Sequence, residues 1–176
     1  MTAKSVAIAI AVAIGCTTPA HAGRIDSGVI KVGRGPAGAT LGMTRAQVVA
    51  ALGDPVDENT NGVMSYQPFD TDDAGIFDVY RNHPGNDRVR LFILSFVGST
   101  GWTLGDGNHI FRKGAIKRLY RHYGSRVHKR DVPEDGSKYY VIRGHFHGRK
   151  VETAFQVTRF SRAKAKVLDV YVSFAD

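Results

Sequence analysis

The sequence predicts an α+β fold built from two tandem units, each a short helix followed by a three-stranded antiparallel meander. Their strands are expected to form a joined or packed antiparallel sheet with the helices on one face. Three observations point there. Residues 42–55 read GMTRAQVVAALGDP, a helix with its start, apolar face and stop all present. Residues 88–96 (RVRLFILSF) match residues 166–174 (KVLDVYVSF) in character along nine positions, at an offset of 78. Residues 112–124 (RKGAIKRLYRHYG) echo the helix segment, with Gly124 answering Gly53 at an offset of 71.

In chain order, the N-terminus comes first. Lys4, nine apolar residues at 6–14 and the small-x-small run Ala20, His21, Ala22 predict a signal peptide over residues 1–22 and a secreted protein. Nine residues cannot cross a hydrocarbon core about 30 Å thick, so no transmembrane helix is expected. Residues 13–16 (AIGC) loosely resemble a lipoprotein cleavage box, which makes a lipid anchor at Cys16 the alternative to free secretion. Cys16 is the one cysteine of the 176-residue chain. Residues 23–176 can therefore form no disulfide, thiol nucleophile or Cys-ligated zinc site. They must fold on an apolar core, which a chain of about 150 residues is long enough to bury.

In the first unit, 23–97, Thr44 can accept from the Gln47 N–H while Gln47 reaches back to the Thr44 N–H, a capping box. Met43 and Val48 fit a hydrophobic staple. Val48, Val49 and Leu52 supply the apolar face. Gly53 fits the left-handed position after the helix, and Pro55 forbids its continuation. Strands are expected over 63–69, 76–81 and 88–96, with a turn at 82–87 (NHPGND). The glycine-rich stretch 98–108 reads as a linker. In the second unit, 98–176, Ala115 stands where the first helix has its capping Thr, and Gly114 where it has Met. This helix must be held by packing of Ile116, Leu119, Tyr120 and Tyr123. Strands follow over 138–146, 151–160 and 166–174, with Gly148 in a turn.

The motif formed by Gly42, Met43, Thr44, Arg45, Ala46, Gln47 and Val48, with Gly53 following, resembles the helix motif of the secreted β-lactamase inhibitory proteins. It is also similar to that of the small outer-membrane-assembly lipoproteins of the SmpA/OmlA type. Close likeness covers about a dozen residues, and the two-unit plan covers most of residues 23–176. The tandem arrangement favours the first comparison. That resemblance implies two helix-plus-sheet repeats presenting a concave sheet to an enzyme. Those inhibitors carry disulfides, which this chain lacks after residue 22, and none of their contact residues can be matched here.

Charge is divided between the units. Residues 23–97 hold seven Lys/Arg against nine Asp/Glu, and residues 98–176 hold 16 against seven. Between positions 112 and 130 stand eight Lys/Arg and no acid. Lys113, Lys117 and Arg121 follow i, i+4 spacing and repel one another by a few tenths of a kcal/mol per pair on a helix face. With Arg118, they mark a candidate surface for an anionic partner. Nucleic acid is not expected, because export is predicted and no binding motif is present.

Four further patterns bear on chemistry. Residues 33–38 (GRGPAG) match G-x-G-x-x-G, but no βαβ unit surrounds them, so a flexible entry loop is expected rather than a dinucleotide site. Asp70, Asp72 and Asp73, with Gly75 and Asp78, resemble part of a calcium loop. Arg81 stands at its twelfth position where a carboxylate is needed, so a protruding acidic partner-binding loop is the better functional reading. His145 and His147 would share a strand face by period 2, yet no third ligand can be placed beside them, and no metal is assigned. Trp102 is either an exposed interface anchor or a cover for the seam between the units.

No catalytic set emerges, and no cofactor is implied. The sequence therefore predicts a secreted, non-enzymatic protein–protein interaction module, an enzyme inhibitor being one form of it. The alternative is an envelope-associated accessory protein holding anionic polymer or lipid through residues 112–130. A secreted hydrolase or nuclease is the third reading. Partner contacts are assigned to Asp70, Asp72, Asp73, Trp102, Lys113, Lys117, Arg118 and Arg121.

Overall fold

The computed structural model describes residues 27–66, 76–81, 87–95, 101–105 and 107–175. Among them the fold is dominated by β-sheet, with two short helices. In order the elements are β1 (Ser27–Lys31), β2 (Gly35–Pro36), α1 (Arg45–Leu52), β3 (Asp57–Glu58), β4 (Val63–Ser65), β5 (Ile76–Arg81) and β6 (Val89–Ser95). Then follow β7 (Gly101–Leu104), α2 (Ala115–Tyr123), β8 (Val127–Val132), β9 (Ser137–Phe146), β10 (Arg149–Val157) and β11 (Val167–Phe174).

An antiparallel eight-stranded sheet runs β3-β4-β5-β6-β11-β10-β9-β8. Its centre is the pair β6–β11, the two strands whose sequences match at an offset of 78. Both are rich in β-branched and aromatic residues, which suit a half-buried pleat. The register carries one apolar row across the sheet, through Met64, Val79, Phe92, Val172, Thr153, Ile142 and Val127. All of these are buried. The buried residues Val48 and Leu52 of α1, and Ile116 and Leu119 of α2, belong to the same core cluster.

The helix starts differ as the sequence requires. The Gln47 side chain accepts from the Thr44 N–H at 2.9 Å and Thr44 Oγ1 accepts from the Gln47 N–H at 3.4 Å, the expected capping box. Gly53 takes φ 84°, but its ψ of −175° lies outside the left-handed helical well expected for it. It is a backbone shape open almost only to glycine. Helix α2 begins after Gly114 at φ 80° with no side-chain cap. Since α2 starts at Ala115, Lys113 lies before it, and only Lys117 and Arg121 share the helical i, i+4 spacing.

Three expectations need correction. Residues 33–38 are not a flexible loop. The Gly33 amide donates to the buried Thr153 Oγ1 at 2.8 Å, and a Cβ on Gly35 would fall 2.4 Å from the Ala39 carbonyl. The stretch 98–108 is more than a linker, because β7 lies within it and pairs in parallel with β1, with β2 on the far side of β1. Residues 127–132 form β8, an edge strand whose charges resemble a solvated run. Charge on an edge is itself a device against unwanted pairing.

Candidate functional site

A shift of one residue from the apolar row gives the opposite face. The register there joins Ser65, Asp78, Ile93, Tyr171, Ala154, Val141 and His128 in one row. The helices and the small sheet gather on the other side, through Trp102 against Phe77 and the Gly33 contact with Thr153. The burial pattern of β6 agrees. Val89, Phe92 and Leu94 are fully buried, while Leu91, Ile93 and Ser95 are only half-buried. Among the described residues this second face is the more open one, with Ile93 and Tyr171 half-buried and His128 exposed, although Ser65, Asp78, Ala154 and Val141 on it are buried.

Its centre is aromatic and polar. The Tyr139 and Tyr171 rings meet edge to face at 6.1 Å, and the Tyr171 hydroxyl donates to Gln156 Oε1 at 3.0 Å. Burial first, and the neighbouring Asp169 next, push the Tyr171 phenol well above its ordinary pKa. Ser95 Oγ donates to Asp169 across the β6–β11 seam. Toward β8, Glu152 is held between two guanidinium groups, Arg130 at 2.5 Å and Arg143 at 3.3 Å. Arg130 also lies over the Tyr139 ring, 5.0 Å from its centroid.

Two adjoining cavities open here, about 550 Å³ and about 680 Å³, sharing Arg130, Glu152, Ser173 and Phe174. Among the described residues their walls carry the cations Arg90, Arg130, Arg143, Arg149 and Lys150 against one carboxylate, Glu152. Ala154 lines the first cavity and is itself buried. At the other end of the face, Asp78 is 7% exposed and accepts from Ser65 Oγ at 2.7 Å. Burial raises the Asp78 carboxyl above its ordinary pKa, partly offset by hydrogen bonds from Ser65 and Tyr80.

The residues singled out from sequence meet different fates. Asp70, Asp72 and Asp73 lie outside the described residues. Trp102 is not an exposed anchor. It is fully buried and meets Phe77 edge to face at 5.4 Å, so it cannot touch a partner. Lys117 and Arg121 are exposed on α2, and Lys113 is exposed just before it. Arg118 is half-buried and turned inward, its guanidinium donating to the carbonyls of His109 at 3.0 Å and Lys113 at 3.3 Å. His145 and His147 do not share a strand face, since β9 ends at Phe146 and His147 sits in the turn at φ 49°. Among the described residues no three His, Cys, Asp or Glu side chains gather as a metal group would need. No described helix is long and apolar enough to cross a membrane.

A sheet surface was expected from the resemblance, but no described residue of this face was among the partner contacts assigned from sequence. Its only local signal is period-2 alternation, as in Tyr139, Val141, Arg143 and in Asp169, Tyr171, Ser173.

No family model matches the chain, and no curated protein matches it. Among solved structures it is similar to a DUF4309 family protein (YjgB) from Bacillus subtilis subsp. subtilis str. 168, at 16% identity and a TM-score of 0.49, covering 81% of this chain and 88% of that one.

Proposed function

We propose that this protein is a non-enzymatic protein-binding module, exported by the signal at residues 1–22, that docks a partner on the open face of its eight-stranded sheet. The observation that carries the reading is the pair of adjoining cavities there, walled by five cations, one carboxylate and half-buried tyrosines. Tyr and Arg are the side chains from which interface hot spots are most often made. The excess of cations selects a partner with an acidic protrusion.

We also propose that the sheet is the product of two tandem units, 23–97 and 98–176. The support is numerical. A repeat offset of 78 makes Tyr171 the counterpart of Ile93, and in the β6–β11 ladder Ile93 pairs with Tyr171. Two equivalent strands pairing antiparallel across equivalent residues are related by a local two-fold axis at that pair. The strand order, β3 to β6 followed by β11 back to β8, has the symmetry such an axis requires. The likeness of residues 42–53 to the β-lactamase inhibitory proteins makes a serine β-lactamase the first partner to try.

The test is capture by tagged protein from culture supernatant and envelope, with purified serine β-lactamases included. Affinity for any captured protein is then compared for wild type, Tyr139→Ala with Arg143→Glu, and Lys117→Ala. The paired change on the open face is expected to weaken binding at least about tenfold, since a single hot-spot residue is worth about 2 kcal/mol. Lys117→Ala, away from that face, is expected to bind as wild type. Capture that survives the paired change, or capture of nothing but sugar polymer or nucleic acid, overturns the reading.

A further inference from the structure

A second site lies at the start of β11, and none of its residues lines the open-face cavities. In the β10–β11 ladder Gln156 pairs with Asp169 and Val157 with Val167, so Leu168 is left over as a bulge. A bulge turns a side chain out of the sheet's alternation. Leu168 is 41% exposed and, with Phe111 and Val167, forms an apolar wall of a cavity of about 470 Å³. That is a size that takes small ligands. Lys113, Lys164 and Lys166 complete the lining with Ala165, and among the described residues no acidic side chain does.

The backbone around these lysines is tied down. The Lys113 carbonyl accepts from Arg118 at 3.3 Å. The amides of Lys164 and Lys166 donate to Ser161 Oγ at 3.1 Å and Thr158 Oγ1 at 3.3 Å. Three lysines thus line one cavity with no carboxylate among its described lining residues, beside a leucine that is partly exposed. Both features are unfavourable in an empty site, one by like-charge repulsion and the other by wetting of apolar surface. One kind of occupant relieves both.

We propose that this cavity binds an amphiphilic anion, a compact carboxylate or phosphate head on a short alkyl chain. The three lysines take the head, and Phe111, Val167 and Leu168 take the chain. Arg118 is a positioning residue, acting through the loop that carries Lys113. The site is independent of the open face and stands whether or not that face binds protein.

Calorimetric titration of the whole protein with octyl phosphate, octanoate, inorganic phosphate and octanol tests this. Octyl phosphate or octanoate is expected to bind more tightly than either inorganic phosphate or octanol, and the tighter of the two identifies the head group. Lys113→Gln and Lys166→Gln are each expected to weaken it at least about tenfold, as loss of a charge-assisted hydrogen bond does. Leu168→Asn is expected to weaken the alkyl ligands while leaving inorganic phosphate unmoved. Lys117→Gln with Arg121→Gln removes two positive charges, one more than either cavity variant, but lies outside the cavity and is expected to bind as wild type. The proposal fails if no ligand gives heat at millimolar concentration, if inorganic phosphate binds as tightly as octyl phosphate, or if the control pair weakens binding as much as the cavity variants. Thermal melts of each variant separate lost binding from lost fold.

Discussion

Helix α1 begins on Thr44, whose hydroxyl and amide are both engaged with Gln47, and ends on Gly53, whose amide donates to the Val49 carbonyl at 2.8 Å. Helix α2 begins on a left-handed Gly114 with no side-chain cap, yet buries Ala115, Ile116 and Leu119 almost completely. Two helices of eight and nine residues, feeding one core cluster, are therefore held by different means. Short isolated helices are marginal in water, so neither survives on propensity. The first adds a local code to its packing, and the second relies on packing alone. The freedom from local code matches what α2 displays outward, Lys117, Arg121 and His122, all exposed.

The contrast predicts that packing changes hurt most in α2. Leu119→Ala removes a fully buried side chain and is expected to cost about 3 kcal/mol, within the range for core leucines. Leu52→Ala in α1, where the leucine is 9% exposed and the cap persists, is expected to cost less. Urea denaturation of both variants checks the order. Equal losses would mean that the cap contributes nothing to holding α1.

The starts give the next largest effect. Thr44→Ala is expected to cost about 1 kcal/mol by loss of the cap. Ser is a good cap in general, yet Gly114→Ser is expected to destabilise, because φ is 80° there and a left-handed L-residue costs about 1 kcal/mol or more. A Cβ at that position meets nothing nearer than Arg118 at 3.5 Å, so the loss is conformational rather than steric. A stabilised Gly114→Ser would show that α2 only lacked a cap.

The same contrast explains what could be read from sequence. Thr44, Gln47 and Gly53 announce α1 because its code is local. Strands β5, β6 and β11 were legible from β-branched and aromatic runs. Strand β8 was not, because His128, Lys129, Arg130 and Asp131 carry the charges of a solvated segment, and only the pairing with β9 makes them a strand. Trp102 could not be placed because β7 owes its existence to a parallel partner more than 70 residues earlier. The open face was illegible for a related reason. Tyr139, Glu152 and Tyr171 meet through register, and register is a property of the assembled sheet.

On the same face of the sheet, the buried Asp78 offers a pH test. Its raised pKa means that the folded state binds protons more readily than the unfolded chain above the ordinary value of 3.8. Its contribution to stability is thus present at low pH and lost as pH rises through the folded pKa. Asp78→Asn keeps an oxygen to accept from Ser65 but cannot ionise. The variant is expected to melt higher than wild type at neutral pH, with the gap closing on acidification below pH 4. A variant that melts lower than wild type at neutral pH would mean that the ionised carboxylate is favoured in the fold and that burial does not raise its pKa.

The smallest effect returns to the helices. In α1, Arg45 is already paired with Glu58 at 2.8 Å, a carboxylate that it shares with Arg81. In α2, Lys117 and Arg121 stand one turn apart, both exposed, with no acidic residue in the first turn. Lys117→Glu places an acid four residues before a base, the favourable order along a helix, and puts negative charge nearer the N-terminal end of the dipole. It is expected to stabilise the protein by a few tenths of a kcal/mol up to about 0.5, and less in high salt. Lys113, Lys164 and Lys166 are untouched, so binding of an amphiphilic anion should persist while stability rises. A loss of stability instead would mean that the exposed lysine is held by a contact that the fold uses, and α2 would then depend on its charged surface as well as on its packing.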